Sequence, residues 1–224
     1  MNNWLNPDNK FFTFMGKAFD MVVLNTIWLI LCIPVITIVP ATTALYYAVV
    51  KVIRRERSYA TKEFFRSFKR NFKQGIVFSL VAVVLIFIMY IDFRYAWELM
   101  QAQESSGSTY FGVFLVIAVL FSAMYVYVCP ILSRFDMKIS GIFKTSFVMA
   151  TRHLLHTIAF LVLLVGVLLG CYILLPGIFF LPAIGTLLAS FLMERIFKKY
   201  MPAKEETEEG EEEAGQEKDE WYLE

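Results

Sequence analysis

Soft metal ligands and reactive side chains are scarce in this 224-residue chain, which has two histidines and three cysteines. Cys32, Cys129 and Cys171 each fall inside an apolar segment, and none forms a C-x-x-C pair. An odd count excludes a complete disulfide framework, so small buried hydrophobes is the expected role. His153 and His156 stand three apart on an expected helix, but no cysteine or carboxylate at matching spacing completes a metal set. Interfacial surface histidines is the better reading. No H-E-x-x-H, phosphate loop or Ser/His/Asp set is present. A protein that is not an enzyme, with no cofactor and no metal, is expected. The apolar segments also hold no paired carboxylates, and the expected absence of acidic residues between the helices argues against a proton- or sodium-coupled pump.

Charge is scarce too, at 18% of residues, against 58% hydrophobic and 17% aromatic. Mean hydropathy is +0.59. A soluble domain could not hide so much apolar surface. From Met21 to Val50 there is no charge at all, and Pro34 and Pro40 interrupt the run. Such a stretch is too long for one ordinary span of about 20 residues and too short for two full ones. Four further apolar runs follow, at 75–95, 110–132, 157–175 and 177–193, of lengths that suit helices rather than barrel strands. The fold class is therefore all-α, a polytopic helical membrane bundle of 5–6 transmembrane helices with interfacial amphipathic helices. Residues 1–20 read as an N-terminal amphipathic segment, 21–200 as the bundle and 203–224 as a tail. The polar start and the lack of an A-x-A site argue against a cleavable signal peptide.

Net charge is only +1, but residues 1–203 carry 19 basic and 9 acidic side chains, and residues 204–224 carry 2 and 11. Basic loops with an acidic tail fit a membrane protein, not a nucleic-acid binder. The tail is expected to be disordered and cytoplasmic, with Trp221–Leu223 either solvated or docked on a partner. The nine bases of Lys51–Lys73 place that loop in the cytoplasm, and Ile91–Thr109, with Arg94 beside Asp92, Glu98 and Glu104, outside. Arg134, Lys138, Lys144 and Arg152 return the chain inside, and Arg195, Lys198 and Lys199 keep the C-terminus there. If Pro34–Thr42 turns the chain back there are six spans and the N-terminus is cytoplasmic; otherwise there are five. Three aromatic-basic entry stretches, Lys10–Phe19, Lys62–Lys73 and Gly141–His156, favour three hairpins.

Several positions invite a functional reading beside a structural one. Asn25, with Trp28 one turn on, either bonds neighbouring helices or contacts a ligand. Thr37, Thr42 and Thr43 flank the Pro34/Pro40 break and either satisfy freed carbonyls or line a cavity. In Thr61–Lys73, Thr61 is the expected cap and Glu63 a partner of the positive helix end. Phe64, Phe65, Phe68 and Phe72 are placed on one face, with Lys69 and Lys73 beside it. That pattern predicts a helix in the interface, rings in the acyl boundary and cations on anionic headgroups, or else a helix packed on the bundle. Asp92 and Arg94 read as a snorkelling pair within an aromatic belt, or else as an outer ion pair at a solute entrance. Gly166 and Gly170 form a GxxxG match that allows close packing within the bundle or between copies.

The residues also resemble a known family of small bacterial integral membrane proteins, the YesL-like family. Its pattern of Asn-x-x-Trp, Pro-x-x-Thr-x-x-Pro-Ala-x-x-Ala-Leu, F-x-x-F-K-x-N-F-K and P-L-x-x-R-F falls on four places here. These are Asn25 and Trp28; Pro34, Thr37, Pro40, Ala41, Ala44 and Leu45; Phe65, Phe68, Lys69, Asn71, Phe72 and Lys73; and Pro130, Arg134 and Phe135. Val39 stands where the family usually has glycine, and the acidic tail looks atypical. The resemblance implies a protein of the bacterial cell membrane, from a family whose uncharacterised members are often encoded beside carbohydrate ABC transporters and two-component sensors. It implies an accessory or scaffold role whose partner is an ABC permease or a sensor kinase. The alternative is a small-solute permease or channel with its pathway near Pro34–Thr43.

Overall fold

The computed structural model describes residues 10–54, 59–103 and 105–198, and the acidic tail lies outside them. Among the described residues every regular element is helical. Helix α1 spans Lys10–Cys32, so residues 10–20 are its first turns rather than a separate amphipathic segment. It stops before Pro34, whose ring fixes φ and pushes the residue before it away from helical backbone. The Thr37 hydroxyl donates to the exposed carbonyls of Leu31 at 2.5 Å and Pro34 at 2.6 Å. A short 3₁₀ turn at Val35–Thr37 leads into α2, Ile38–Ala48, which continues as a π-helical stretch, Val49–Arg54. Pro40 does not break this helix. It sits in the first turn, where no intrahelical partner awaits its missing N–H.

The chain reverses at this break. Trp28 Nε1 donates to Thr42 Oγ1 at 3.2 Å, and Leu24 shares a core cluster with Ala44, Leu45 and Ala48. The uncharged run is thus two antiparallel helices. Their burial differs sharply: 83% of Val35–Arg54 is inside the protein, against 11% of Met15–Cys32. The α2 segment is the central helix of the bundle.

Helix α3 spans Ala60–Gln101, about 63 Å at 1.5 Å per residue, twice the bilayer core. The basic entry stretch is therefore its first turns and not a helix of its own. Its N-cap is Tyr59 rather than Thr61, and Glu63 N–H donates to the Tyr59 carbonyl. The buried stripe of this half is Ala60, Glu63, Phe64, Ser67, Asn71 and Gly75, at helical spacing. Helix α2 lies along it: a Cβ on Gly75 would come within 2.8 Å of Pro40, Val39 N–H donates to Ser79 Oγ at 3.2 Å, and Lys51 meets Glu63.

Helix α4, Ser105–Arg134, returns beside the distal half of α3. Gly107 packs on the backbone of Leu99 and Met100, and Phe93 meets Phe111 at 5.4 Å. Side chains such as Val84, Ile86, Phe87, Val116 and Leu120 point outward there, as lipid-facing helices require. The amphipathic α5, Ile139–Arg152, buries Ile142, Ser146, Met149 and Ala150 at i, i+4, i+7 and i+8. Helices α6, Leu154–Ile173, and α7, Leu181–Phe197, form the last hairpin through a 3₁₀ turn at Leu175–Phe179. Among the described residues five helices can cross a membrane by length and composition, ending with α6; α7 has 17 residues. This is a helical membrane bundle.

Three sequence expectations change here. Gly166 has open space before it, so the GxxxG pair does not pack as a unit; Gly170 meets Leu181, and Gly185 meets Val167 instead. His153 is the junction between α5 and α6, although its ring stands edge-on to His156 at 5.8 Å. Arg94 pairs with Glu98 at 3.4 Å, one helical turn on, rather than with Asp92 on nearly the opposite side.

Candidate functional site

The concentrated chemistry lies where α2, α4 and α7 converge. Pro130 is buried in the last turns of α4, and Ser133 Oγ donates to its carbonyl at 2.7 Å. Arg134 closes the helix, where a cation complements the negative C-terminal end. Its Nη2 donates to Glu194 Oε1 of α7 at 2.6 Å, with side chains only 1% and 5% exposed. Tyr46 of α2 donates its hydroxyl to the same oxygen at 3.1 Å. One carboxylate therefore ties three helices together. Phe135 extends the junction, edge-on to Phe197 at 5.4 Å.

A second buried pair follows along α2. Lys51 Nζ donates to Glu63 Oε2 at 3.1 Å, and Arg66 reaches Glu63 at 4.0 Å from the surface. Arg54 donates to the Ser190 carbonyl at 2.9 Å and lies 4.6 Å from the Phe191 ring centroid. The Tyr47 ring is shared by two cations, Lys51 at 5.6 Å and Arg70 at 5.4 Å. Arg70 also donates to the Ser133 carbonyl at 2.9 Å, and Gln74 to the Met137 carbonyl at 3.1 Å. Cations capped by carboxylates, carbonyls and ring faces are fixed, not held ready for transfer. The arrangement locks helix ends in register.

The sequence-predicted positions gather around the break, one turn from this cluster. Asn25 Nδ2 donates to the Phe179 carbonyl at 2.9 Å, tying α1 to the turn before α7. Trp28 and Thr42 bond each other, Thr37 serves two carbonyls, and Thr43 and Pro40 are buried. The proposed phenylalanine face is not one face. Phe64 is fully buried in the core, Phe68 half-buried, and Phe65 and Phe72 exposed with Lys69 and Lys73. Consecutive residues are about 100° apart on a helix, so this arc of rings straddles the core boundary. Phe64 stacks on Phe68 at 6.5 Å and meets Phe65 edge-on at 5.8 Å.

Two acids overturn the expectation that no carboxylate lies between the helices. Glu63 and Glu194 are both buried, and sequence reasoning missed them along with Tyr46, Tyr47, Lys51 and Arg54. A signal existed for Glu194, a lone acid directly at the end of the 177–193 run, since such a group finds a partner when it is buried; Glu63, which shares its basic stretch with Glu56, carried none. Among the described residues, no group of three or more His, Cys, Asp or Glu could hold a metal ion. The three cysteines are free and half-buried.

Residues 21–93 match a family described as "Protein of unknown function, DUF624". That segment contains the second half of α1, all of α2 and most of α3, hence the break and the Lys51–Glu63 pair. The chain is also 27% identical over 204 residues to the uncharacterized protein YesL of Bacillus subtilis (strain 168), covering 87% of this chain and 90% of that protein. Together these support a YesL-like family. No solved structure matches. The Asn25–Trp28 and Pro34–Leu45 segments of the YesL-like pattern thus form the antiparallel α1–α2 pair and its Asn25 and Trp28 contacts. Arg134 of its last segment forms the ion pair that holds α7.

Proposed function

We propose that this protein is a non-enzymatic accessory or scaffold subunit of the bacterial cell membrane, serving carbohydrate uptake by an ABC transporter or the associated sensing. Both termini are cytoplasmic in this reading. The end of the bundle carrying Lys69, Lys73 and Lys138 faces anionic headgroups and the permease or sensor kinase. The carrying observation is how the interior charges are used. Arg134, Glu194, Lys51 and Glu63 are buried in ion pairs that fix helix ends, while the exposed charges described at that end are basic except for Asp136. The contacts at the break, which a permease would need as its pathway, also favour the scaffold reading. Pro40 sits on Gly75, and Thr37, Trp28 and Val39 spend their donors on neighbouring chain.

Crosslinking and pull-down from native membranes tests this reading. The expected result is a stoichiometric ABC permease or sensor kinase, captured less by a variant with Lys69 and Lys73 changed to Glu. Sugar flux through liposomes holding this protein alone would overturn it in favour of the permease.

A further inference from the structure

The basic residues at one end of the bundle form a continuous belt around the α4–α5 connection. Arg70 donates to Ser133 and Gln74 to Met137, which brings Lys73 and Lys138 to the two sides of that contact. Phe135 rests on Phe197, and Arg134 on Glu194, which brings Arg195 and Lys198 to the same place. Lys69, Arg70, Lys73, Lys138, Arg195 and Lys198 are all exposed. Among the described residues of 59–79, 133–152 and 190–198, Asp136 is the one exposed acid, because Glu63 and Glu194 are turned inward. The interior pairs thus remove the negative charges from this face and leave it strongly positive.

The chain that leaves this belt at Lys198 is its charge complement. Residues 204–224 carry 11 acidic and 2 basic side chains, and Glu205–Glu213 holds seven acids with no base. A tether of about 11 residues from Lys198 to the middle of that run has a root-mean-square reach of roughly 18 Å. Such a tether sets an effective concentration in the millimolar range, so weak ionic contacts suffice to close it. Because the tail begins inside the belt, both lie on the same side of the membrane whatever the orientation of the bundle.

We propose that the acidic segment Glu205–Glu213 docks on this chain's own basic belt and shields it from anionic lipid and partners. This goes beyond the accessory role proposed above and does not depend on it. An anionic surface or protein that binds the belt must displace the tail, so occupancy becomes a competition governed by charge and salt.

The test uses the full-length protein in nanodiscs of phosphatidylcholine with one quarter phosphatidylglycerol. Zero-length carbodiimide coupling joins carboxylates to lysines in contact, and mass spectrometry reads the links. Links from Glu205–Glu213 to Lys69, Lys73 and Lys138 are expected at 50 mM salt, falling about tenfold at 500 mM as the Debye length shrinks. The variant R195E, altered at an exposed belt position that takes no part in the coupling, should weaken them while every coupled lysine and carboxylate remains. Three results would overturn the proposal. One is no links at low salt; the second is links that join isotopically light and heavy copies rather than one chain. The third is links present in pure phosphatidylcholine but absent with phosphatidylglycerol, which would give the belt to lipid.

Discussion

Replacing Glu194 with Ala isolates the ion pair that joins α4 to α7. Glu194 Oε1 accepts from Arg134 at 2.6 Å and from the Tyr46 hydroxyl at 3.1 Å, and all three residues are buried. Removing one partner of a buried pair costs about 3–5 kcal/mol, because the remaining charge keeps its desolvation penalty without its partner. For a chain of this size about 1 kcal/mol corresponds to roughly 2–4 °C in Tm. The expected loss is thus about 6–20 °C, read by thermal unfolding of purified protein in one detergent. The companion variant removes the whole polar set as Tyr46→Phe, Arg134→Met and Glu194→Leu. It should recover most of that loss, since an apolar replacement leaves no orphaned charge. A Glu194→Ala variant within about 2 °C of the parent, or a triple variant as weak as the single one, would refute the reasoning.

Gly75→Leu should destabilise by at least about 1–3 kcal/mol, since its first carbon already falls 2.8 Å from two Pro40 atoms, and unfolding in the same detergent reads the shift. Gly185→Leu should cost a similar amount because the new side chain meets Val167, whereas Gly166→Leu, facing open space, should stay within about 0.5 kcal/mol. Equal losses at the two glycines would restore the GxxxG reading. Phe64→Ala should cost about 3–5 kcal/mol and Phe65→Ala, at an exposed position, about 0.5 kcal/mol or less; comparison of their midpoints checks the reassigned face.

Membrane residence, the all-helical class and the apolar cores of α3, α4 and α6 are legible from composition and run length. Those properties depend on how much apolar chain must avoid water, and that quantity is local. The turn at Pro34 is legible for the same reason, since proline acts on its own backbone and on the residue before it. Helix faces are less so. Phe64, Phe65, Phe68 and Phe72 read as one stripe by aromatic type. The true buried stripe mixes Glu63, Ser67 and Asn71 with Phe64, because α2 brings its own polar partners.

The sequence by itself determined that this chain is a helical membrane protein, that its uncharged run Met21–Val50 bends at Pro34, and that a basic body is followed by an acidic tail. Tertiary structure alone decided that the second half of that run is the buried central helix. It also decided that Arg134, Glu194 and Tyr46, far apart in the chain, share one oxygen. The physical reason is that burial of a charge depends on which helix stands opposite. A carboxylate near the end of an apolar run is a solvated surface group or a buried lock according to whether a cation from another helix reaches it.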